Sequence, residues 1–410
     1  MKKWKNRILS DVCTVFEDGD WIESKDQSDE GIRLIQTGNV GNGFFKDRGE
    51  RARYISETTF KRLRCTEIFE GDCLISRLPD PVGRACIIPD TGEKMITAVD
   101  CTIIRFQQKE ILPEWFLFYS LSNEYQTEIT KQVTGATRQR ISRKNLGLIE
   151  IPLPPLPEQQ RIVAILDEAF AAIEKAKANA EQNLKNAKEF FESYLQGVFE
   201  NPNNNWEKRK LGDVCGFVRG PFGGSLKKNI FKPEGYAVYE QQHAIYDQFD
   251  DLRYFIDEKK FNEMKRFELN SGDLIMSCSG TMGKIAIVPK NIQRGIINQA
   301  LLKLSPSKKV SNVFLKLWMQ SESFQNSLKE YAGGAAIQNV ASVAILKNIE
   351  IPLPDISTQN KIVQKVQAFS AETKKLETIY QTKINDLEEL KKSILQKAFN
   401  GELKTATAVV

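Results

Sequence analysis

The sequence is poor in the residues that most often carry catalysis or bind metals. It has one histidine, His243, and seven cysteines, none of them in a CxxC pair. A zinc site needs clustered Cys and His ligands, and one histidine cannot serve a His-based catalytic triad in more than one place. An odd number of scattered cysteines is typical of reduced thiols, so we expect a cytoplasmic protein without a metal site.

Long apolar runs are also missing. No stretch approaches the roughly 20 apolar residues of a membrane span, and the opening MKKWKNRILS lacks the apolar core of a signal peptide. With 41% apolar and 27% charged residues, the composition is that of a globular protein. The net charge is only +5, so any contact with nucleic acid must come from local clusters of basic residues.

Motifs of the common enzyme classes are absent. The stretch SGTMGKIA is similar to a phosphate-binding loop, but only two residues separate Gly280 from Gly283, and Ile285 stands where Ser or Thr would bind magnesium. Neither GxSxG nor HExxH occurs. The sequence therefore predicts a protein without catalytic residues of its own.

What the sequence does contain is an internal repeat. The hexapeptide IEIPLP occurs at 149–154 and again at 349–354. Four further stretches match in the same order at offsets of 200 to 202: WKNRILSDVC with WEKRKLGDVC, GDCLIS with GDLIMS, VGRACIIP with MGKIAIVP, and SYLQGVF with SILQKAF. Such self-similarity in one order along the chain indicates a tandem duplication.

Each repeat combines two patterns. Short β-like runs broken by Gly, Pro and Asn, together with amphipathic stretches, predict a mixed α/β domain. A proline-rich start, PLPPLPEQQ or PLPDISTQN, then introduces a long helical pattern. We therefore predict an α+β fold in which globular domains at 1–155 and 203–356 alternate with long helices at 156–202 and 357–404, followed by a tail at 405–410.

Apolar residues along both helices recur with a heptad spacing, which favours a coiled coil. Two such rods most simply pair with each other, and antiparallel pairing would relate the repeats by a pseudo-twofold axis. The alternative is that each helix packs only on its own domain. The predicted seam consists of Ile162, Leu166, Ala169, Ile173, Ala176, Ala180, Ala187, Phe190 and Tyr194 in the first helix, and Ile362, Val366, Phe369, Leu376, Tyr380, Leu387, Leu390 and Ile394 in the second.

Basic and amide side chains cluster in a few polar loops. The stretch QVTGATRQRISRKN holds four cations and no acidic residue, and Arg and Gln can make paired hydrogen bonds to guanine and adenine edges. The matching stretch YAGGAAIQNVAS keeps a glycine and Gln338-Asn339 but has no arginine, as expected for two readers of different sequences. A solvated surface is the alternative for each residue. The candidate DNA-contacting residues are Thr37, Asn39, Arg77, Arg84, Arg138, Gln139, Arg140, Arg143, Lys144, Gln241, Gln242, His243, Ser279, Thr281, Lys284, Gln338 and Asn339.

This organisation resembles the specificity subunit of type I restriction–modification systems, and the resemblance covers essentially the whole chain. Its most specific parts are the helix starts IPLPPLPEQQRIV and IPLPDISTQNKIV, and the pairs GDCLIS…GRACIIP and GDLIMS…GKIAIVP. The second helix departs from the family pattern, because Thr358-Gln359 replaces Glu-Gln and Asp355 replaces the third proline. The match is therefore weaker at that point.

The resemblance implies that each domain is a target-recognition domain for one half of a bipartite DNA site. The helices would fix the gap between the half-sites and dock two methyltransferase subunits, and restriction subunits would join through these. The chain itself would be non-catalytic, with S-adenosylmethionine, ATP and magnesium bound by its partners. A coiled-coil scaffold that binds only proteins is the alternative function.

Overall fold

The duplication in the sequence corresponds to two structural units. A computed structural model describes residues 4–200, 206–331 and 342–403. The first unit comprises Met1–Glu181 and Thr382–Val410, and the second comprises Gln182–Gln381. Each unit therefore contains one globular segment and a part of each long helix.

The first globular segment contains two main sheets. An antiparallel sheet has the order β2-β10-β7-β8, a mixed sheet has the order β3-β5-β4-β9-β6, and β1 pairs separately with β11. The strands are β1 (Asn6–Ile8), β2 (Cys13–Asp18), β3 (Gln27–Ser28), β4 (Ile32–Ile35), β5 (Tyr54–Ile55), β6 (Glu67–Ile68), β7 (Cys73–Ser76), β8 (Ala85–Ile87), β9 (Met95–Thr97), β10 (Cys101–Phe106) and β11 (Glu150–Pro152). The helices are α1 (Glu57–Leu63), α2 (Pro113–Ser120), α3 (Asn123–Gln132) and α4 (Arg143–Gly147), and the long helix α5 (Leu156–Glu200) follows.

The second globular segment repeats this plan. Its antiparallel sheet has the order β13-β19-β16-β17, a smaller sheet has the order β15-β14-β18, and β12 pairs with β20. The strands are β12 (Glu207–Lys210), β13 (Cys215–Arg219), β14 (Tyr236–Tyr239), β15 (Phe255–Ile256), β16 (Leu274–Ser277), β17 (Ile285–Ile287), β18 (Gly295–Ile297), β19 (Leu301–Pro306) and β20 (Glu350–Leu353). The helices are α6 (Leu211–Val214), α7 (Gln241–Tyr246), α8 (Glu258–Glu263), α9 (Asn312–Gln320), α10 (Glu322–Tyr331) and α11 (Val343–Asn348), and the long helix α12 (Ile356–Phe399) follows.

The uninterrupted apolar runs of the repeat lie in strands that are buried on both faces. In β7, Cys73 and Ile75 pack in the core that contains Trp115, whereas Leu74 packs on the other side of the sheet with Ile35 and other residues. A strand with two buried faces needs apolar residues at consecutive positions. This explains why CLIS and LIMS lack the alternation of a half-exposed strand.

The repeated IEIPLP joins each globular segment to its long helix. Its residues form β11 and β20, which pair with β1 and β12 at the start of the respective segment. The glutamine that follows is fully buried in both units. Gln159 Nε2 donates to the carbonyl oxygens of Glu110 and Pro154, at 2.9 and 2.8 Å, and Oε1 accepts from the amide of Leu112. Gln359 makes the corresponding three bonds, so this residue fixes the start of each helix.

The two long helices pair in antiparallel fashion within each unit, as predicted. In the first unit the Lys177 ammonium lies 2.7 Å from Glu388, and the Lys391 ammonium lies 2.8 Å from Glu174, so residue numbers rise along α5 as they fall along α12. In the second unit the ring of Phe369 packs 4.5 Å from that of Tyr194. The alternative, in which each helix contacts only its own globular segment, is wrong.

The structure buries one row of the predicted seam and exposes part of the other. The row that contains Leu166, Ala180 and Ala187 is buried. In the other row Ala169, Ala176 and Phe369 are half-buried, but Phe190, Leu376 and Leu390 are 64%, 45% and 46% exposed. Their place is taken by the row displaced by one residue, which is buried or half-buried: Val163, Phe170, Lys177, Leu184, Phe191, Val363, Ser370, Glu377, Ile384 and Lys391.

The displacement has a physical cause at the helix starts. Ile162 and Ile362 suggested the predicted row, but both pack in the cores of the globular segments. Farther along the helices each helix packs against the other. There the buried row is displaced by one residue toward the C-terminus from the predicted row. A stripe that must serve two different neighbours is not defined by one heptad register.

The displaced seam predicts unequal effects of two alanine substitutions in α12. Ile384 is 8% exposed and Leu390 is 46% exposed. We expect Ile384→Ala to lower the free energy of unfolding by about 2–3 kcal/mol, because it leaves a cavity in the seam. Leu390→Ala should cost less than about 1 kcal/mol. Urea unfolding of both variants checks this, and equal losses would contradict the displaced register.

Six of the seven cysteines are buried. All seven cysteines are free thiols, and burial raises the pKa of the Cys13 and Cys86 thiols to about 12. Among the residues that the structure describes, no helix is long and apolar enough to cross a membrane. Within the same ranges, no group of three or more His, Cys, Asp or Glu side chains is placed to hold a metal ion.

Candidate nucleic-acid interface

Many of the predicted DNA-contacting residues of the first unit gather at one end of the sheet β2-β10-β7-β8. At this end β2 finishes at Asp18, opposite Thr102, and β7 finishes at Ser76, opposite Cys101. The loop before α4 reaches the same place, because the amide of Ile141 donates to the carbonyl of the residue that follows β7, at 3.2 Å. The topology thus brings residues more than 60 positions apart to one edge.

Three arginines at this edge form ion pairs with two aspartates. The Arg140 guanidinium lies 3.1 Å from the carboxylate of Asp100, Arg138 lies 3.8 Å from the same carboxylate, and Arg143 lies 3.9 Å from Asp18. We call these five residues the arginine rim. The three arginine side chains are 75%, 46% and 46% exposed for Arg138, Arg140 and Arg143, so the rim presents more positive than negative charge to solvent. Gln139 and Lys144 are exposed on the same stretch.

Arg77 and Arg84 are not part of that exposed surface, and the expectation for them needs correction. Arg84 is 6% exposed and donates to the carbonyl oxygens of four residues, Thr37, Val40, Leu78 and Pro81, at 2.6 to 3.0 Å. Arg77 is 3% exposed and donates to the carbonyl of Val99 at 2.5 Å. Burial lowers the pKa of both guanidinium groups from its ordinary value. Both side chains hold loops together rather than reach DNA.

Asn39 and His243 also have a structural role instead of the predicted contact with bases. Both are buried, and both follow a strand at equivalent places. The amide of Gln36 donates to Asn39 Oδ1 at 3.0 Å, and the amide of Glu240 donates to His243 Nδ1 at 2.8 Å. Each side chain therefore closes a capping box at the start of a short helix. The spacing Gln-x-x-Asn and Glu-x-x-His after a strand is the sequence signal for this role.

Arg84 and its counterpart Lys284 offer a matched test of this assignment. Arg84→Ala leaves several buried carbonyl groups without a donor, so we expect the free energy of unfolding to fall by about 3 kcal/mol or more. Lys284 is exposed, and Lys284→Ala should change stability by less than about 0.5 kcal/mol. The measurement is urea unfolding followed by tryptophan fluorescence. An Arg84→Ala protein as stable as the wild type would refute the structural role.

The second unit places its candidates at the corresponding end of the sheet β13-β19-β16-β17. The amide of Ser279 donates to Gln241 Oε1 at 3.2 Å, and Gln242 Nε2 donates to the carbonyl of Asp251 at 3.1 Å. Thr281 and Lys284 are exposed, and Thr37 of the first unit is half-buried. Gln338 and Asn339 lie outside the described residues. Apart from Lys284, the exposed and half-buried candidates of this unit that the structure describes carry amide or hydroxyl groups.

A cationic cavity of about 820 Å³ lies at this end of the second unit. Among the described residues that line it, Arg219, Lys260, Arg266 and Lys347 are cationic and Glu263 is acidic. Lys260 lies 3.2 Å from Glu263. The remaining positive charge makes the cavity suitable for an anionic group such as a phosphate.

Several residues of this interface were missed by sequence reasoning. Asp18 and Asp100 position the three arginines of the rim. Nothing in the sequence pairs these aspartates with arginines about 40 or 120 positions away. Arg219 occupies the position of Asp18 in the second unit, at an offset of 201. Two exposed aromatic residues, Trp21 and Phe222, follow Asp18 and Arg219 by three positions. Their equivalence at the same offset was the signal that could have identified them.

Comparisons with known proteins agree with the duplication. The family model described as type I restriction modification DNA specificity domain matches residues 1–182 and again 203–389. The EcoBI specificity subunit of Escherichia coli is 26% identical over 310 residues, which are 70% of this chain and 65% of that relative. This chain thus covers just under two thirds of that protein. A putative type I specificity subunit, MjaX, of Methanocaldococcus jannaschii is 23% identical, over 98% of this chain and 94% of that relative.

Solved structures show the same fold. A chain solved in work on complex assembly and conformational transition of the type I R-M system superimposes with a TM-score of 0.81 at 19% identity, over 98% of this chain and 99% of that one. The HsdS subunit from Thermoanaerobacter tengcongensis gives a TM-score of 0.63 at 18% identity, over 98% of both chains. Since the family model accounts for both repeats, the chain belongs to the family of type I restriction–modification DNA specificity proteins, with two copies of the specificity domain.

Proposed function

We propose that this chain is the DNA-reading subunit of a type I restriction–modification complex and that each globular segment contacts one half of a bipartite site. Membership of the specificity-domain family supports DNA as the ligand. The presence of two matched domains in one chain supports a site with two halves. The interface at the end of each antiparallel sheet is the proposed contact surface.

The observation that carries this proposal is the change of side chains on a preserved frame. At equivalent positions Asp18 is replaced by Arg219, Asp100 by Ala300, and Arg143 by Val343. The strands beneath these positions keep their order and pairing in both units. Two readers of different sequences need different donors and acceptors at this edge, and these substitutions change both.

We expect the charged residues of this surface to make two kinds of contact, with phosphates and with base edges. Exposed Lys and Arg side chains supply phosphate contacts, which fix the position of a protein on the duplex. Arginine can also make two parallel hydrogen bonds to a guanine edge, which carry sequence information. The arginine rim combines both possibilities in the first unit, and the cationic cavity supplies mainly phosphate contacts in the second.

The exposed faces of the long helices support docking of two methyltransferase subunits. Phe190 in the second unit and Leu390 in the first lie at an offset of 200 and are both exposed. In the second unit Phe190 and Leu376 line a shallow groove together with Tyr380. Exposed apolar groups at equivalent places suit two copies of one partner. Restriction subunits would join through the methyltransferases.

Catalysis belongs to the partners in this proposal. S-adenosylmethionine, ATP and magnesium would be bound by the methyltransferase and restriction subunits. This chain, acting in the cytoplasm, would bring those subunits to the target DNA sequence. Methylation requires a base to leave the stack, so the enzyme must be held beside the reader.

Salt dependence of DNA binding tests the proposal. We expect the full chain, purified with its methyltransferase partner, to bind a fluorescent random-sequence duplex in 50 mM salt. The logarithm of the binding constant should fall linearly with the logarithm of salt concentration, with a slope of roughly −4 or steeper for about five phosphate contacts. A complex that is stable but does not bind duplex DNA at 50 mM salt would favour the protein-binding scaffold.

A further inference from the structure

Two aromatic rings project from equivalent places in the two units. Trp21 is 70% exposed and Phe222 is 91% exposed. The equivalence is fixed by the main chain two residues earlier. The amide of Gly19 donates to the carbonyl of Cys101, the first residue of β10, and the amide of Gly220 donates to that of Leu301, the first residue of β19, both at 2.9 Å.

The glycines at these crossings are required by close approach of the main chain. A Cβ atom on Gly19 would lie 2.4 Å from the carbonyl oxygen of Thr97, and one on Gly220 would lie 1.8 Å from that of Asn298. No side chain fits at either position. The chain therefore passes tightly over the edge of the sheet, and the aromatic residue follows at the same distance beyond the crossing in both units.

The rings have been retained while their neighbours changed. Asp18 in the first unit corresponds to Arg219 in the second, and Asp20 corresponds to Pro221. An exposed aromatic residue nevertheless follows Asp18 and Arg219 by three positions. A ring that is 91% exposed contributes little to the core of its own unit. An exposed aromatic side chain of this kind is a common anchor at binding surfaces, because it offers a large apolar face with few degrees of freedom.

Both rings lie beside the charged surfaces described above. The amide of Asp20 donates to the carbonyl of Thr97, and the amide of Val99 donates to the carbonyl of Asp20, at 2.8 and 2.9 Å. Trp21 therefore directly follows Asp20, whose carbonyl accepts from the residue that precedes Asp100 of the arginine rim. Trp21 Nε1 also lies 3.4 Å from Glu23. In the second unit, Phe222 itself lines the cationic cavity.

We propose that Trp21 and Phe222 are base-contacting residues, each placed against a base step of the half-site that its own unit binds. This inference rests on the proposed function and adds two residues to it. Neither ring carries a charge for a phosphate, whereas the arginines of the rim and the cations of the cavity do. An uncharged aromatic face at a surface that also carries these cations suits a nucleobase, through stacking or a wedge between bases.

The test compares three variants and one control variant on a duplex selected by the wild-type complex. Affinity is measured on the selected duplex and on two duplexes in which one half-site is scrambled. Trp21→Ala should lower affinity about tenfold or more and weaken base preference in one half-site only, and Phe222→Ala should do so in the other half-site. Trp21→Phe, which keeps a ring, should recover most of the affinity. Phe69→Ala is the control, because Phe69 is half-exposed in a different loop.

The outcomes separate this inference from the proposed function. Variants that bind within twofold of the wild type, or that lose equally at both half-sites, overturn the base-contacting role. Loss of methyltransferase co-purification with unchanged DNA binding would show that the rings dock a protein, and would also overturn it. A wild-type complex that selects no motif overturns the proposed function, and the inference falls with it.

Discussion

Replacing Arg138 and Arg140 together by alanine is expected to weaken binding to one half-site about 100-fold or more and to leave the other half-site unaffected. Both guanidinium groups are exposed on the arginine rim. Loss of a base-contacting arginine typically costs about 1–3 kcal/mol, or roughly fivefold to 150-fold in affinity. The measurement is a competition assay with duplexes that carry altered half-sites.

Two further variants separate charge from geometry at the rim. Arg140→Lys keeps the positive charge but cannot make the paired hydrogen bonds of arginine. If Arg140 contacts a base, this variant should relax selectivity at one position while the salt dependence stays unchanged. Asp100→Asn combined with Arg140→Ala removes the carboxylate that would otherwise be left facing DNA, so it shows how much of the loss is repulsion by Asp100.

The control for the rim is an exposed cation at the other end of β10. Lys109 follows the carboxyl end of that strand and is exposed, so Lys109→Ala should leave affinity within twofold of the wild type. Equal losses at both half-sites, or no loss in the double alanine variant, would show that the rim is not the surface that binds one half-site.

Lengthening the helix pair is expected to change the gap between the half-sites. Four residues inserted after Ala178 add about 6 Å of helix and a little over one turn, which corresponds to roughly two base pairs at 3.4 Å each. Binding to the original site should fall about 1000-fold, towards non-specific binding. Selection with the variant should return the same two half-sites with a longer gap.

The insertion must preserve the pairing of the helices. Lys177 meets Glu388 and Glu174 meets Lys391, so Ala178 stands opposite Leu387. A matched insertion between Asp386 and Leu387 therefore lengthens both helices at one level. The same four residues placed after Gly92, in an exposed turn, are the control and should leave the gap unchanged. An unchanged gap in a folded, DNA-binding protein with both insertions would refute the role of the helices as a spacer.

The sequence predicted the architecture because the duplication supplied two independent copies of each signal. The prolines and the buried Gln159 and Gln359 recur at the same positions relative to the start of each long helix. Residues that hold a joint in both copies survive divergence of their surroundings. The predicted helix starts at 156 and 357 agree with Leu156 and Ile356 within one residue.

Individual side chains of the interface could be predicted less well, for a physical reason. Arg84 and Lys284 are equivalent in sequence, yet one is buried among carbonyl groups and the other is exposed. Which of the two applies depends on whether loops distant in sequence converge on the residue. Local spacing contains no information on that convergence. For the same reason the roles of Asp18 and Asp100 could not be predicted, because their arginine partners follow α3 in the chain.

Sequence recognition by two halves is tested by selection from a random duplex library with this chain purified together with its methyltransferase partner. We expect a motif of two short specific halves separated by a gap of constant length and no sequence preference. A single continuous motif would contradict the assignment of one half-site to each unit. Binding by a stable complex without any motif would contradict sequence recognition itself and would favour the scaffold.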